Sequence, residues 1–212
     1  GRALVFVDPK PESTAPTGPM QGMGSSAPPD LVGIEKLLAA WGVKLSDNYV
    51  VGDRAAAIRV NVSSGTRPVI GDYVAWMQMR PGNFESTDGV TGALKQLNFG
   101  TAGALDKVDG AGTVVTPLIA TGLESMRIDA AKFATLPDVL GLFRDFKPQN
   151  KREILAARLS GTAKSAFSAA IGGKEYVPQS KEPIQVIVVA DTDLLTDRFW
   201  VESNTVLGRQ VL

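Results

Sequence analysis

Residues 184–200, with the sequence IQVIVVADTDLLTDRFW, decide the fold that we predict for this chain. The run from residue 184 to residue 190 consists almost entirely of β-branched and small apolar side chains, which is typical of a strand covered on both faces. It is followed by Asp191 and Asp193, polar residues that can cap a helix. The stretch ALVFVDP at residues 3–9 has the same layout and carries Asp8 after its apolar run. Two buried strands that each end in an acid predict the centre of an open α/β sheet.

The segments after the first of these strands predict a strand–helix–strand unit. Apolar residues between positions 31 and 41 recur with helical spacing, Asp30 can cap this helix, and Gly42 ends it. A short strand follows at residues 49–51. We therefore predict an α/β fold that is Rossmann-like or flavodoxin-like, with an open, mostly parallel sheet and helices on both faces.

The organisation of the chain is predicted from its alternating and its turn-rich segments. Alternating apolar residues at 55–62 and 73–80 predict an antiparallel hairpin, either at the sheet edge or in a small inserted lobe at residues 54–85. The segment 9–29 is rich in Pro, Gly, Ser and Met, and we expect a long flexible loop there. We interpret residues 1–212 as a single α/β domain and as a fragment of a longer protein.

The remaining elements are predicted from shorter patterns. Residues 114–121 form an apolar run that contains Pro117, which favours an edge strand or an interrupted strand. Another strand is expected at 152–159. Helices are expected at 88–97, 129–135 and 137–146, and from 194 to about 207.

Composition excludes several classes of function. The chain has 22 basic and 22 acidic residues, so no strong field draws it to nucleic acid or to an anionic membrane. It has no Cys and no His, which excludes a Ser-His-Asp triad, a Cys-His pair, a His-ligated zinc site and a disulfide within the chain. We therefore predict no catalytic residue, no metal and no cofactor.

The best candidate site consists of Asp8, Asp191 and Asp193. If the two apolar strands are parallel neighbours, their carboxylates meet at one sheet edge, where clustered oxygens can bind a ligand, hold a hard cation or transfer protons. The competing interpretation is structural: Asp191 or Asp193 caps a helix, and Asp8 forms a turn with Pro9. We favour the structural interpretation and keep the three residues as a candidate ligand site.

Other candidates are weaker. Ser160 and Lys164 could form a Ser-Lys pair, but a serine at a strand bend and a solvated lysine explain them better. The glycines between residues 100 and 112 do not have the spacing of a phosphate-binding loop. The three tryptophans are best explained by packing in the core or at an interface; they are Trp41, Trp76 and Trp200.

A series of segments along the whole chain resembles a known family. The chain is similar to the soluble domain of GldG-like auxiliary components of gliding-motility-type ABC transport systems. The segments that carry this resemblance are ALVFVDP at 3–9, LLAAWGVKL at 37–45, VVGD at 50–53, LNFGTAGALDKV at 97–108, VTPLIAT at 115–121, LAARLSGTAKSAF at 155–167 and VIVVADTDLLTDRFW at 186–200.

The resemblance implies a place, a fold and a role. Such domains sit on the extracytoplasmic (periplasmic) face of the cytoplasmic membrane, tethered by flanking segments, and their fold is similar to a flavodoxin-like or glutamine-amidotransferase-like sheet. The implied partners are the permease and ATPase subunits of an ABC transporter. Class I amidotransferases need a Cys and a His that this chain lacks, so the resemblance implies no such activity.

We therefore predict a non-enzymatic accessory domain that binds partner subunits or cargo. The alternative is a domain that binds a small molecule or carbohydrate in a cleft near Asp8 and Asp191. A carboxylate- or metal-dependent hydrolase at the same edge is a third, less favoured interpretation.

Overall fold

The computed structural model describes residues 1–12, 32–46, 48–63, 66–170, 172, 175–201, 204–206 and 209–211. Within these ranges the chain has two α-helices, α1 (Val32–Ala40) and α2 (Val139–Arg144). Its strands are β1 (Arg2–Phe6), β2 (Val43–Leu45), β3 (Tyr49–Asp53), β4 (Ala57–Asn61), β5 (Ile70–Met79), β6 (Leu97–Gly100), β7 (Leu105–Lys107), β8 (Thr113–Ala120), β9 (Ser125–Asp129), β10 (Ile154–Gly161), β11 (Ile184–Val189), β12 (Asn204–Val206) and β13 (Arg209–Val211).

The central sheet has four strands in the order β1-β11-β10-β8. β1 and β11 are parallel neighbours, with Phe6 opposite Val189, which confirms the pairing expected from their apolar runs. β10 runs antiparallel to both β11 and β8. β8 lies at the edge of this sheet, where the missing amide hydrogen of Pro117 interrupts no central ladder.

The predicted Rossmann-like or flavodoxin-like α/β fold is wrong. The described strands form several small sheets, and β1–β11 is the one parallel pair among the pairings that the structure describes. The structure has strand pairs where helices were expected to cover both faces of the sheet. Segments expected to form long helices or parallel strands instead form turns or antiparallel strand pairs. β1 is also exposed over its first residues, so it is not the doubly covered strand that its composition predicts.

The predicted strand–helix–strand unit is corrected in the same way. The helix is present and ends at Ala40, two residues before Gly42, whose positive φ of 96° favours glycine. The chain then enters β2, which pairs antiparallel with β7, while β3 pairs antiparallel with β9. No parallel crossover therefore joins β1 to β3. The residue proposed to cap α1, Asp30, lies outside the described residues.

Two predicted helices are not formed. Residues 88–93 make turns and residues 94–96 lead into β6, which begins at Leu97; the cost of Gly89 and Gly92 in a helix is consistent with this. Residues 193–199 form two short 3₁₀ segments, Asp193–Leu195 and Asp197–Phe199, because Thr196 between them is extended.

The other predicted helices are present in shorter form. Asp129 caps a 3₁₀ segment, Ala130–Phe133, through the amide of Ala131, as its position in the sequence indicates. α2 is capped by Asp138, whose carboxylate accepts a hydrogen bond from the Gly141 amide at 2.9 Å.

The alternating segments form the antiparallel pair β4–β5, and β6 extends it to a three-stranded sheet. A separate inserted lobe at 54–85 and a single-domain organisation remain predictions. Most of the loop predicted at 9–29 lies outside the described residues. The described part of the core consists of three apolar clusters, one of which joins the β4–β5–β6 sheet to the central sheet through Phe99, Met77 and Leu155.

Arg54 links α2 to the strands against which the helix packs. Its Nη2 donates hydrogen bonds to the carbonyl oxygens of Phe146 at 2.8 Å and Phe143 at 3.5 Å, and its guanidinium carbon lies 5.2 Å and 5.6 Å from the centres of those two rings. The cation therefore satisfies carbonyls at the carboxyl end of the helix and also stacks on aromatic faces.

Replacement of Arg54 by alanine is expected to lower the free energy of unfolding by about 2 kcal/mol, because charged hydrogen bonds and ring contacts are lost together. Urea unfolding measures the change. Arg54→Lys should recover only part of it, because lysine lacks the planar fork. The exposed Arg80 provides the control, Arg80→Ala, which should change stability by less than about 0.5 kcal/mol. Equal effects of Arg54→Ala and Arg80→Ala would contradict this role.

Candidate functional site

The structure brings together the three acids that the sequence singled out. Asp8 follows β1 and Asp191 follows β11, so the parallel pairing of these strands places both residues at one sheet edge. Asp193 lies two residues beyond Asp191, at the start of the first 3₁₀ segment. One carboxylate oxygen from each of the three lies within 4.8 Å of the others, and all three side chains are buried. We refer to Asp8, Asp191 and Asp193 as the acidic triad.

Both carboxylate oxygens of Asp8 accept hydrogen bonds. Its Oδ2 accepts from the amide and the hydroxyl of Thr192, both at 2.8 Å, and its Oδ1 accepts from the amide of Lys10 at 2.8 Å. Asp8 therefore ties the segment after β1 to the segment after β11. The turn that the sequence predicts after Asp8 is present, and a cross-link between the two strand ends accompanies it.

Asp191 and Asp193 connect the same edge to neighbouring segments. Asp191 accepts hydrogen bonds from the amides of Gly100 at 2.8 Å and Leu194 at 3.1 Å, so it caps the 3₁₀ segment and joins it to β6. Asp193 accepts from the amide of Glu12 at 2.8 Å. The structural role expected for these acids is thus visible in their contacts.

Burial and mutual repulsion make ionisation of Asp8 and Asp191 unfavourable. Burial raises the pKa of Asp8 to about 6, against the hydrogen bonds from Thr192 and Lys10 that lower it. Burial also raises the pKa of Asp191 well above its ordinary value, and the nearby charge of Asp8 raises it further. Carboxylates this close favour a state in which at least one proton is retained.

Thr101 is a residue at this site that the sequence analysis missed. It is buried beside the triad, and its hydroxyl lies 2.9 Å from the carbonyl oxygen of Lys10 and 3.4 Å from Oδ2 of Asp193. Its φ of 46° lies in the left-handed region, which is unfavourable for a β-branched residue. Packing and hydrogen bonds around the triad must offset a strain of roughly 1–3 kcal/mol. No local pattern in the sequence indicates this conformation.

A small pocket adjoins the triad, and the sequence analysis did not predict it. It has a volume of about 180 Å³ and is lined by Glu12, Asp193, Thr196, Arg198 and Phe199. Behind these residues lie Trp76 and Tyr73 of β5, with ring centres 5.4 Å apart. We call this group of residues the aromatic pocket.

Contacts within the aromatic pocket centre on the carboxylate of Glu12. Nε1 of Trp76 donates a hydrogen bond to one of its oxygens at 2.7 Å, and Nη1 of Arg198 donates to the other at 2.7 Å. The guanidinium of Arg198 also lies over the Trp76 ring, 5.2 Å from its centre. Phe199 meets the same ring edge-on, with centres 5.2 Å apart.

Gly100 allows Phe199 to reach this position. A Cβ at residue 100 would lie 2.7 Å from the Phe199 ring, so only glycine leaves room for the ring against β6. One of the glycines between residues 100 and 112 thus serves close packing. This agrees with the absence of a phosphate-loop spacing in that segment.

The other residues considered from the sequence lie elsewhere. Ser160 is on β10, and the ammonium group of Lys164 donates a hydrogen bond to the carbonyl oxygen of Gly110 at 2.6 Å. Trp41 packs against the core cluster beneath the central sheet. Trp200 donates a hydrogen bond from its indole nitrogen to the carbonyl oxygen of Leu194. These contacts give each of them a structural explanation.

The fold and the site define a β-rich domain with a mixed central sheet, a buried acidic triad and an adjoining aromatic pocket. Residues 1–210 match the model of a family described as an ABC-type uncharacterized transport system, and the chain belongs to this family of auxiliary components. Neither the comparison with curated proteins nor that with solved structures gave a match. In the part of the chain that the structure describes, no helix has the length and apolar character needed to cross a bilayer.

Proposed function

We propose that this chain is a non-enzymatic accessory domain that binds partner subunits or cargo of a gliding-motility-like, GldG-like ABC transport system, tethered at the extracytoplasmic face of the cytoplasmic membrane. The family match over residues 1–210 is the observation that carries this proposal. The lack of His and Cys in the sequence supports it, because nucleophile–histidine catalysis needs those side chains.

The exposed half of the central sheet is the surface that best fits a partner subunit. Across the sheet, Leu4 lies opposite Ile187 and Ile187 lies opposite Arg158, so the three side chains share one face. Leu4 is 59% exposed, although it lies within a strand. An open groove of about 690 Å³ crosses this face and is lined by Arg2, Ala3, Leu4, Arg158, Gln185 and Ile187.

The charges of this face indicate the chemistry of its partner. Arg2 is exposed, and Arg158 already holds a carboxylate, that of Asp88, through hydrogen bonds of 2.8 and 3.0 Å. An apolar segment that carries acidic residues would complement both the aliphatic and the basic side chains. We therefore assign the face to an acidic, amphipathic segment of the permease subunit, the ABC subunit that reaches the extracytoplasmic side.

The alternative, a small-molecule or carbohydrate site near Asp8 and Asp191, has less support from the geometry. Their oxygens are buried and accept hydrogen bonds from the backbone, so a ligand would have to displace those contacts. The adjoining pocket, at about 180 Å³, is smaller than the roughly 300–1,000 Å³ usual for small-molecule sites.

Co-purification of the full-length membrane protein with the ABC subunits encoded beside it tests the proposed function. In mild detergent, the wild-type protein should retain the permease or the ATPase. Replacement of Leu4 by glutamate should reduce recovery by about tenfold, because an acid on this face repels an acidic partner and removes an apolar contact.

The matched control is Leu136→Glu, at a residue outside the sheet that is 96% exposed. It should leave recovery unchanged. Failure of the wild-type protein to retain either ABC subunit would overturn the proposed function. Equal recovery with Leu4→Glu and Leu136→Glu would overturn the assignment of the sheet face.

A further inference from the structure

The aromatic pocket contains a cation that the chain itself supplies. Arg198 places its guanidinium between the Glu12 carboxylate and the face of Trp76, the two kinds of group that attract a cation most directly. Its side chain is nevertheless 54% exposed. Because the guanidinium is already half exposed, its solvation changes little when it leaves the pair, whereas the Glu12 carboxylate, which is only 24% exposed, needs a cation beside it.

The rest of the pocket is organised independently of Arg198. The Trp76 indole holds one oxygen of Glu12 in place, and the Glu12 amide is fixed by Asp193. Phe199 supports the ring of Trp76 from the side. If the Arg198 side chain swings outward, the carboxylate and the indole face remain in position for another cation.

The size and polarity of the pocket indicate what that cation is. A volume of about 180 Å³ suits the end of one side chain better than a whole small molecule. Tyr73 adds a buried phenol next to Trp76, and the charges of Glu12 and Arg198 both act on it. Planar guanidinium suits stacking on an indole and pairing with a carboxylate more closely than an ammonium group.

We propose that the aromatic pocket is a binding site for an arginine side chain of a partner protein, and that Arg198 occupies it as an internal competitor until the partner arrives. The inference rests on the proposed function, since it names a side chain through which the accessory domain holds its partner. Exchange of one guanidinium for another keeps the hydrogen bond to Glu12 and the stacking on Trp76. The arginine of the partner can therefore bind in place of Arg198 while the partly buried Glu12 carboxylate stays paired.

The test uses N-acetyl-arginine amide as the probe and the indole ¹H–¹⁵N resonance of Trp76 as the readout, assigned by its loss in Trp76→Phe. Arg198→Ala should bind the probe at least about tenfold more tightly than the wild-type protein, because the tethered competitor has been removed. Arg198→Gln, which keeps most of the side-chain length, should behave similarly and provides a second variant if the first unfolds.

Two matched controls make the test specific. N-acetyl-citrulline amide has nearly the same shape as the probe without its charge and should not shift the Trp76 resonance of Arg198→Ala. The double variant Glu12→Gln/Arg198→Ala should lose binding of the arginine probe by at least about tenfold, because the charged acceptor is gone. Binding of the citrulline probe as tightly as the arginine probe would overturn the inference.

The inference is also overturned if folded Arg198→Ala and Arg198→Gln show no shift with millimolar arginine probe. That result leaves the co-purification experiment unaffected, since a partner can be retained through the sheet face alone. Conversely, the wild-type protein could fail to retain an ABC subunit while the arginine probe binds the pocket as expected. That result would overturn the proposed function but not the binding of guanidinium by the pocket.

Discussion

Replacement of Asp53 by alanine is expected to lower the free energy of unfolding by about 3–5 kcal/mol, because three backbone amides lose one buried acceptor together. Asp53 is the last residue of β3 and is almost completely buried. Its Oδ1 accepts hydrogen bonds from the amides of Ala55 at 2.9 Å and Ala56 at 3.2 Å. Its Oδ2 accepts from the amide of Gly122 at 2.6 Å. One side chain thus joins the turn before β4 to the connection between β8 and β9.

A graded pair of controls separates this role from ordinary capping. Asp53→Asn keeps the shape and one acceptor oxygen, and should cost about half as much as Asp53→Ala. Asp129→Ala removes an exposed cap with a single amide partner and should cost about 1 kcal/mol. Urea unfolding, analysed with a common m-value, measures the loss in unfolding free energy for each of the three variants. A loss with Asp53→Ala no larger than with Asp129→Ala would show that the three amides find other partners.

The convergence of the acidic triad could be predicted from the sequence, because it depends on one local pattern and one geometric rule. Apolar runs at 3–7 and 184–190 indicate strands, and parallel strands present their carboxyl ends at the same sheet edge. The rule needs only that β1 and β11 be neighbours, and they are. Helix α1 with Gly42 just after its end, and the cap at Asp129, could be predicted for the same reason, since the signals for each lie within a few residues of each other.

The fold class could not be predicted, because the pairing of short strands is decided over long distances. β2 and β7 have three residues each, and β3 has five. Such segments carry too little pattern to identify a partner, and the same apolar residues fit a parallel or an antiparallel neighbour. The predicted strand–helix–strand unit assumed that the strands before and after the helix are parallel neighbours. The structure has β2 with β7 and β3 with β9, both antiparallel.

The aromatic pocket was missed for a related reason. Glu12 is 64 residues from Trp76 and 186 residues from Arg198 in the sequence, so no motif joins them. The sequence placed Trp76 within an alternating strand without deciding which face it occupies. In the structure Trp76 is partly buried beside Glu12, and its surroundings come from the segments that follow β1 and β11.

The acidic triad is expected to make the domain lose stability as the pH rises from about 4 to about 7, because buried acids hold protons in the folded state that the unfolded chain releases. The pKa of Asp8 is raised from 3.8 to about 6. An acid whose pKa is raised on folding contributes its full stabilisation at a pH below its pKa in the unfolded chain. This stabilisation is lost as the pH rises through the pKa of the acid in the folded protein. One unit corresponds to about 1.4 kcal/mol, so Asp8 accounts for a loss of roughly 3 kcal/mol across this range. Asp191, whose pKa is also raised, extends the loss to higher pH.

Comparison of wild-type protein with Asp8→Asn isolates this effect from the other acids. The described carboxylates beside Asp8 are those of Asp191 and Asp193 at the strand edge, each with an oxygen within 4.8 Å of an Asp8 oxygen. The difference in unfolding free energy, measured by urea at several pH values, should shift in favour of Asp8→Asn by up to about 3 kcal/mol between pH 4 and pH 7.5.

Asp88→Asn provides a control of opposite sign. The hydrogen bond from Arg158 lowers the pKa of Asp88, so its contribution to stability is present at neutral pH and is lost only as the pH falls below about 4. The difference between wild-type protein and Asp88→Asn should therefore stay nearly constant from pH 4 to pH 7.5. A constant difference for Asp8→Asn as well would show that Asp8 ionises normally in the folded protein. It would contradict proton retention by Asp8 and Asp191, because charged Asp8 would then have to coexist with Asp191 at the same edge without cost.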